Sequence, residues 1–99
     1  MLRFYNGLYD FLPIDIIINN RLIVAKLKPN AFSCKFNAKP GLYTITVASG
    51  GETLLHVNFQ LRSSNSVIIF TGKPNQAEMR VVPRTQKRNQ SADALVSSL

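Results

Sequence analysis

The chain has 99 residues, enough for one small domain and too few for two independent cores. Its residues are 45% hydrophobic and 17% charged, a globular composition and not a disordered one. A formal charge of +7 disfavours cationic partners and favours anionic ones.

No run approaches the roughly 18–20 apolar residues that a membrane-spanning helix needs. Residues Met1 to Asp10 lack the cationic start, apolar core and small-residue cleavage site of a signal peptide. That start predicts an intracellular protein. With one cysteine, Cys34, there can be no intramolecular disulfide and no multi-thiolate zinc site. The lack of a disulfide fits a reducing compartment.

In chain order, Leu2–Tyr5 reads as a first strand, followed by a long loop holding Asn6, Gly7 and Pro13. Leu8, Tyr9, Phe11 and Leu12 lie in that loop with no evident place in so small a core. They are candidate partner contacts, or a lid folded back over the domain. Ile14–Ile18 is β-prone and closed by Asn19-Asn20, a pair that tolerates positive φ. With a single charge, Asp15, this strand is expected to be central or paired. Arg21–Leu27 is its partner strand, and Ser33–Asn37 is short and alternating. Pro40-Gly41 has the residue types of a type II turn.

Behind that turn, Tyr43, Ile45 and Val47 share one face of a strand and Leu42, Thr44 and Thr46 the other. After the turn at Ser49-Gly50-Gly51-Glu52, Leu55, Val57, Phe59 and Leu61 alternate with His56, Asn58 and Gln60, a strand with one wet face. Val67–Thr71 is a continuous apolar run and Gly72–Asn75 a turn. Ala77–Val82 closes the domain, with Glu78 and Arg80 on one phase as on a protected edge.

Composition changes after Pro83. Residues 84–99 contain no aromatic, Gly or Pro and begin with the basic cluster Arg84, Lys87 and Arg88, further candidate contacts. The folded unit is therefore 1–83, and 84–99 is a tail expected to be disordered alone. About seven to eight short strands with regular turn signals predict an all-β fold, a single antiparallel β-sandwich. A small closed barrel shares that pattern.

Four segments, in order, resemble a known family. They are Leu2-Arg3-Phe4-Tyr5-Asn6, Pro13-Ile14-Asp15-Ile16-Ile17-Ile18-Asn19-Asn20, the stretch from Leu27 to Phe36, and Lys39-Pro40-Gly41-Leu42-Tyr43-Thr44-Ile45-Thr46-Val47. Together they resemble the bacterial "domain of unknown function 4397" family over about residues 2–71. The resemblance implies an immunoglobulin-like or prealbumin-like sandwich of cell-envelope, extracellular or spore-associated bacterial proteins, with no family-wide catalytic activity. Two positions depart from the family pattern. The first loop reads Gly7-Leu8-Tyr9-Asp10-Phe11-Leu12 where a Ser-Pro pair with an acid is common, and Asn20 stands where Gly is usual.

Read on their own chemistry, Asp15, Pro40, Gly41 and Tyr43 have structural roles. A carboxylate among apolar neighbours needs backbone N–H partners, and a tyrosine behind a turn can bury its ring while its hydroxyl bonds backbone.

Catalysis requires a nucleophile, acid or base with an orienting partner. His56, the sole histidine, lies on a wet strand face, and Cys34 has only Lys35 beside it. The five acids are scattered, and Gly50-Gly51 is a hairpin turn with no helix behind it to form a phosphate loop. Neither an enzyme nor a cofactor, metal or small-molecule substrate is expected. The leading expectation is a non-catalytic structural or protein-interaction module of a bacterial assembly, with a protein partner or a weak dimer, placed in the forespore or mother cell of a sporulating cell. The alternative is a binding module for an anionic polymer, nucleic acid or cell-wall glycan, drawn by the basic residues.

Overall fold

The computed structural model describes residues 1–10 and 12–84, and within these the fold is all-β. Its strands are β1 (Leu2–Leu8), β2 (Ile14–Ile18), β3 (Arg21–Leu27), β4 (Gly41–Ser49), β5 (Glu52–Leu61), β6 (Ser66–Gly72) and β7 (Glu78–Pro83). A short 3-10 turn, Pro74–Gln76, links the last two. They form a three-stranded sheet in the order β1-β6-β7 and a four-stranded sheet in the order β3-β2-β4-β5.

Both sheets feed one buried cluster. Leu2, Phe4, Leu8, Ile68 and Phe70 come from the first sheet, and Ile14, Ile16, Leu27, Ile45, Val47 and Leu61 from the second. Each removal of such a side chain from water contributes about 1.5–3 kcal/mol, so the cluster is the main stabilising element. The Phe4 and Phe70 rings stack at its centre, 6.2 Å apart. β2 is interior, between β3 and β4, and β7 is an edge.

The turns follow from residue chemistry. Ile18 pairs with Arg21 across Asn19 and Asn20, both at positive φ, which matches the right-handed twist of a two-residue hairpin. Asn19 also joins β4: its N–H donates to the Thr44 carbonyl and its Oδ1 accepts the Thr44 N–H, both at 2.9 Å. Ser49 pairs with Glu52 across Gly50 and Gly51, again both at positive φ. Only glycine enters that region without a Cβ penalty, hence the Gly-Gly pair.

Four details differ from the sequence reading. First, β1 and β6 run parallel, Leu2 opposite Ser66 through Leu8 opposite Gly72, so the fold is not wholly antiparallel. The two strands are distant in sequence, so no local turn sets their direction. Second, β1 continues to Leu8. That residue is 2% exposed in the core and is not part of the first loop. Third, Ser33–Asn37 is not a regular strand. The chain from Ala31 to Phe36 instead runs antiparallel along β1 through isolated bridges, Phe36 to Leu2 and Phe32 to Tyr5. Fourth, Gly41 has φ +158°, far from the roughly +80° of a type II turn, because it is already the first residue of β4, paired with Leu61.

Candidate functional site

Two sheets with two edges each present four rows of backbone groups, and the chain treats each row differently. The outer edge of β1 is covered. Leu2 and Phe36 exchange backbone hydrogen bonds of 2.8 and 2.7 Å, and the Asn6 N–H donates to the Ala31 carbonyl. Where the register between bridges fails, side chains substitute for backbone. The Phe4 N–H donates to Ser33 Oγ at 2.9 Å while the Ser33 N–H donates to the Phe4 carbonyl at 2.8 Å. Asn6 is fully buried, and its Nδ2 donates to the carbonyls of Leu12 and Leu27 while its Oδ1 accepts the Leu8 N–H. A polar side chain is tolerated in the core because its donors and acceptor all find partners.

The edge of β3 is irregular. Two register shifts break its pairing with β2, and Lys26 sits at positive φ with its N–H held by Asp15 Oδ1 at 2.8 Å. Arg21 and Lys26 add charge, although Leu22 is 59% exposed. The edge of β7 has six residues, with Glu78, Arg80 and a terminal Pro83. Bulges, charges and proline are the usual means of blocking strand addition.

β5 carries a single bulge, at Leu54 near its start, and is otherwise regular. It spans ten residues, and from Leu55 to Leu61 it is evenly paired with β4 and holds no charge and no proline. Among the described residues neither sheet supplies a strand for its outer side, although the 3-10 turn approaches it. Its wet face is neutral and ordered by cross-strand bonds to β4: Thr44 Oγ1 donates to Asn58 Oδ1 at 2.7 Å, and Thr46 Oγ1 lies 2.8 Å from His56 Nδ1. Glu52 opens the strand and Arg62 follows it, both exposed.

A second feature is a polar hollow of about 340 Å³ beside the start of β1 and β6, where Arg3, Lys35 and Arg84 converge. A third is an apolar cavity of about 300 Å³ between the sheets, with Phe4, Ile18, Phe36, Tyr43 and Phe59 in its wall.

The residues singled out from sequence are dispersed. Tyr9 is 63% exposed with its N–H on the Gly72 carbonyl, whereas Leu12 is half-buried and Leu8 is in the core, so these three form no single patch. Phe11, Lys87 and Arg88 lie outside the described residues. Arg84 is exposed and lines the polar hollow. Asp15 holds the β3 irregularity, and the Tyr43 hydroxyl donates to the Lys39 carbonyl just before Pro40. His56 is on β5, whereas Cys34, an exposed free thiol, lies on the segment beside β1. Among the described residues, no group of three or more His, Cys, Asp or Glu side chains is placed to hold a metal ion, and no helix is long and apolar enough to cross a membrane.

Sequence reasoning missed Asn6, Lys35 and the β5 edge. Asn6 shares the alternating phase of Leu2, Phe4 and Leu8, which was enough to place it inward. Lys35 carries no such signal, because its neighbours in the hollow come from remote segments. Comparison with protein-family models, with curated proteins and with solved structures yields no match.

Proposed function

We propose that this chain is a non-catalytic interaction module, an immunoglobulin-like or prealbumin-like β-sandwich that assembles through the β5 edge. The observation that carries this reading is the contrast among the four edges: among the described residues three are covered or blocked, and the longest is open. Its resemblance to the domain of unknown function 4397 family supports placing it in a bacterial assembly, spore-associated or of the cell envelope.

The occupant of the edge is a second copy of the chain, added by antiparallel strand pairing. Charge supports this choice. Two chains of +7 repel, and the neutral stretch of β5 is where two copies can approach with least repulsion. Pairing centred on Val57 sets His56 opposite Asn58 and Leu55 opposite Phe59, so wet and apolar faces both match. The same register brings Glu52 of each copy beside Arg62 of the other, offset by one residue through the bulge at Leu54. Exposed pairs of this kind contribute little to affinity, but they discriminate between registers. The two four-stranded sheets then become one continuous sheet.

Light scattering on the full chain tests this reading. A concentration-dependent dimer is expected, weakened by Arg62→Glu and restored by the exchange Glu52→Arg/Arg62→Glu. A monomer at every concentration, or a dimer indifferent to Arg62→Glu, overturns it.

A further inference from the structure

We propose that the hollow formed by Arg3, Lys35 and Arg84 is a binding site for a phosphate-type oxyanion, free or as part of a polymer. The inference is independent of the β5 edge. Three cations from remote segments line one hollow: β1 supplies Arg3, the segment beside it Lys35, and the chain just after β7 Arg84. Met1, Asn65, Ser66 and Val67 complete the wall, and no carboxylate is among its described lining residues. Gathering like charges without a counter-charge is unfavourable, and a multiply charged anion reverses the sign of that interaction. A monocarboxylate would neutralise less of it.

The Arg3 side chain and the backbone that carries Arg84 are also positioned in advance. The Arg3 guanidinium lies 4.4 Å from the centre of the Phe32 ring, and its Nη2 donates to the Ser33 carbonyl at 3.3 Å. Phe32 is fixed in turn by the Tyr5 ring, 4.7 Å away between centroids. Arg3 therefore does not need to be ordered when a ligand arrives, which lowers the entropic cost of binding. Arg84 is anchored through its backbone: its N–H donates to the Asn65 carbonyl at 2.6 Å, and Asn65 Nδ2 donates to the Arg84 carbonyl at 2.9 Å. A volume of about 340 Å³ accommodates a phosphate together with the neighbouring units of a chain.

Arg84 is followed by Lys87 and Arg88, so the test must separate the hollow from these cations. Isotope-labelled full chain is titrated with inorganic phosphate and, separately, with inorganic polyphosphate, while backbone amide shifts are followed. Saturable changes centred on Lys35, Asn65, Ser66 and Arg84 are expected. Affinity should fall at least about tenfold in Lys35→Ala/Arg84→Ala, given the strength of charged hydrogen bonds, and stay unchanged in Lys87→Ala/Arg88→Ala. Saturation by inorganic phosphate identifies a single-ion site, and saturation only by polyphosphate identifies a polymer site. Changes that never saturate with either probe overturn the proposal. So does an affinity lost in the Lys87→Ala/Arg88→Ala variant and retained in the other.

Discussion

The outer edges of β1 and β5 are the same kind of object, a row of backbone donors and acceptors at the side of a sheet, yet the molecule handles them in opposite ways. Along β1 the chain returns on itself, and where backbone pairing fails, Asn6 and Ser33 supply side-chain partners. Along β5 no strand follows among the described residues, and from His56 to Gln60 the exposed face carries only neutral polar groups. The covered edge is thereby committed to folding. The open one remains available for association. Substitutions at β1 should therefore change stability, and substitutions at β5 should change oligomeric state with little effect on the monomer.

Asn6→Ala has the largest expected effect. It removes two donors and an acceptor at a fully buried position and leaves the Leu8 N–H and the Leu12 and Leu27 carbonyls without those partners. Orphaned buried groups are costly, so a loss of about 3 kcal/mol is expected, which for a domain of this size lowers Tm by roughly 10 °C or more. Thermal unfolding followed by circular dichroism measures it. A change below about 1 kcal/mol would mean that water enters and substitutes for the amide.

Ser33→Ala is next. It leaves one buried N–H, that of Phe4, without its acceptor, and also removes the hydroxyl bond to the Cys34 carbonyl. About 1–2 kcal/mol is expected, with amide hydrogen exchange at Phe4 accelerated more than at Ile68, whose strand β6 lies on the other side of β1. Equal acceleration at both would show that the segment beside β1 is not a separate cover but one cooperative unit with the sheet.

Local chemistry made much of this fold legible. Asn19-Asn20 and Gly50-Gly51 announce their hairpins because few other residues accept positive φ. The alternation from Leu55 to Leu61 marks a strand with one wet face because successive side chains point oppositely. The parallel pairing of β1 with β6 left no such trace, since its partners are brought together only by the shared core. Pro40-Gly41 misled for a related reason: the same dipeptide serves a type II turn or the entry to a strand, and pairing of Gly41 with Leu61 decides between them. The hollow of Arg3, Lys35 and Arg84 was illegible because three distant segments build it. At β5 the missing charges were visible in sequence, but their meaning depends on the strand being an edge, which is a property of topology.

The smallest effect on the monomer and the clearest effect on assembly are expected from His56→Lys/Asn58→Lys. Both side chains are exposed on the wet face, and each loses one hydrogen bond to a β4 threonine, a change worth about 0.5–1 kcal/mol at most. In the paired dimer, however, position 56 of one copy faces position 58 of the other, so the variant sets lysine against lysine twice. Like charges directly opposite on paired strands are destabilising, and edge lysines are a natural block to strand addition. The unsubstituted chain should show a Tm that rises with protein concentration, because association stabilises only the folded form. In the variant that dependence should vanish, while Tm extrapolated to high dilution stays within a few degrees of the parent. A concentration dependence that survives both lysines would place the association elsewhere, and the open edge of β5 would then need another occupant.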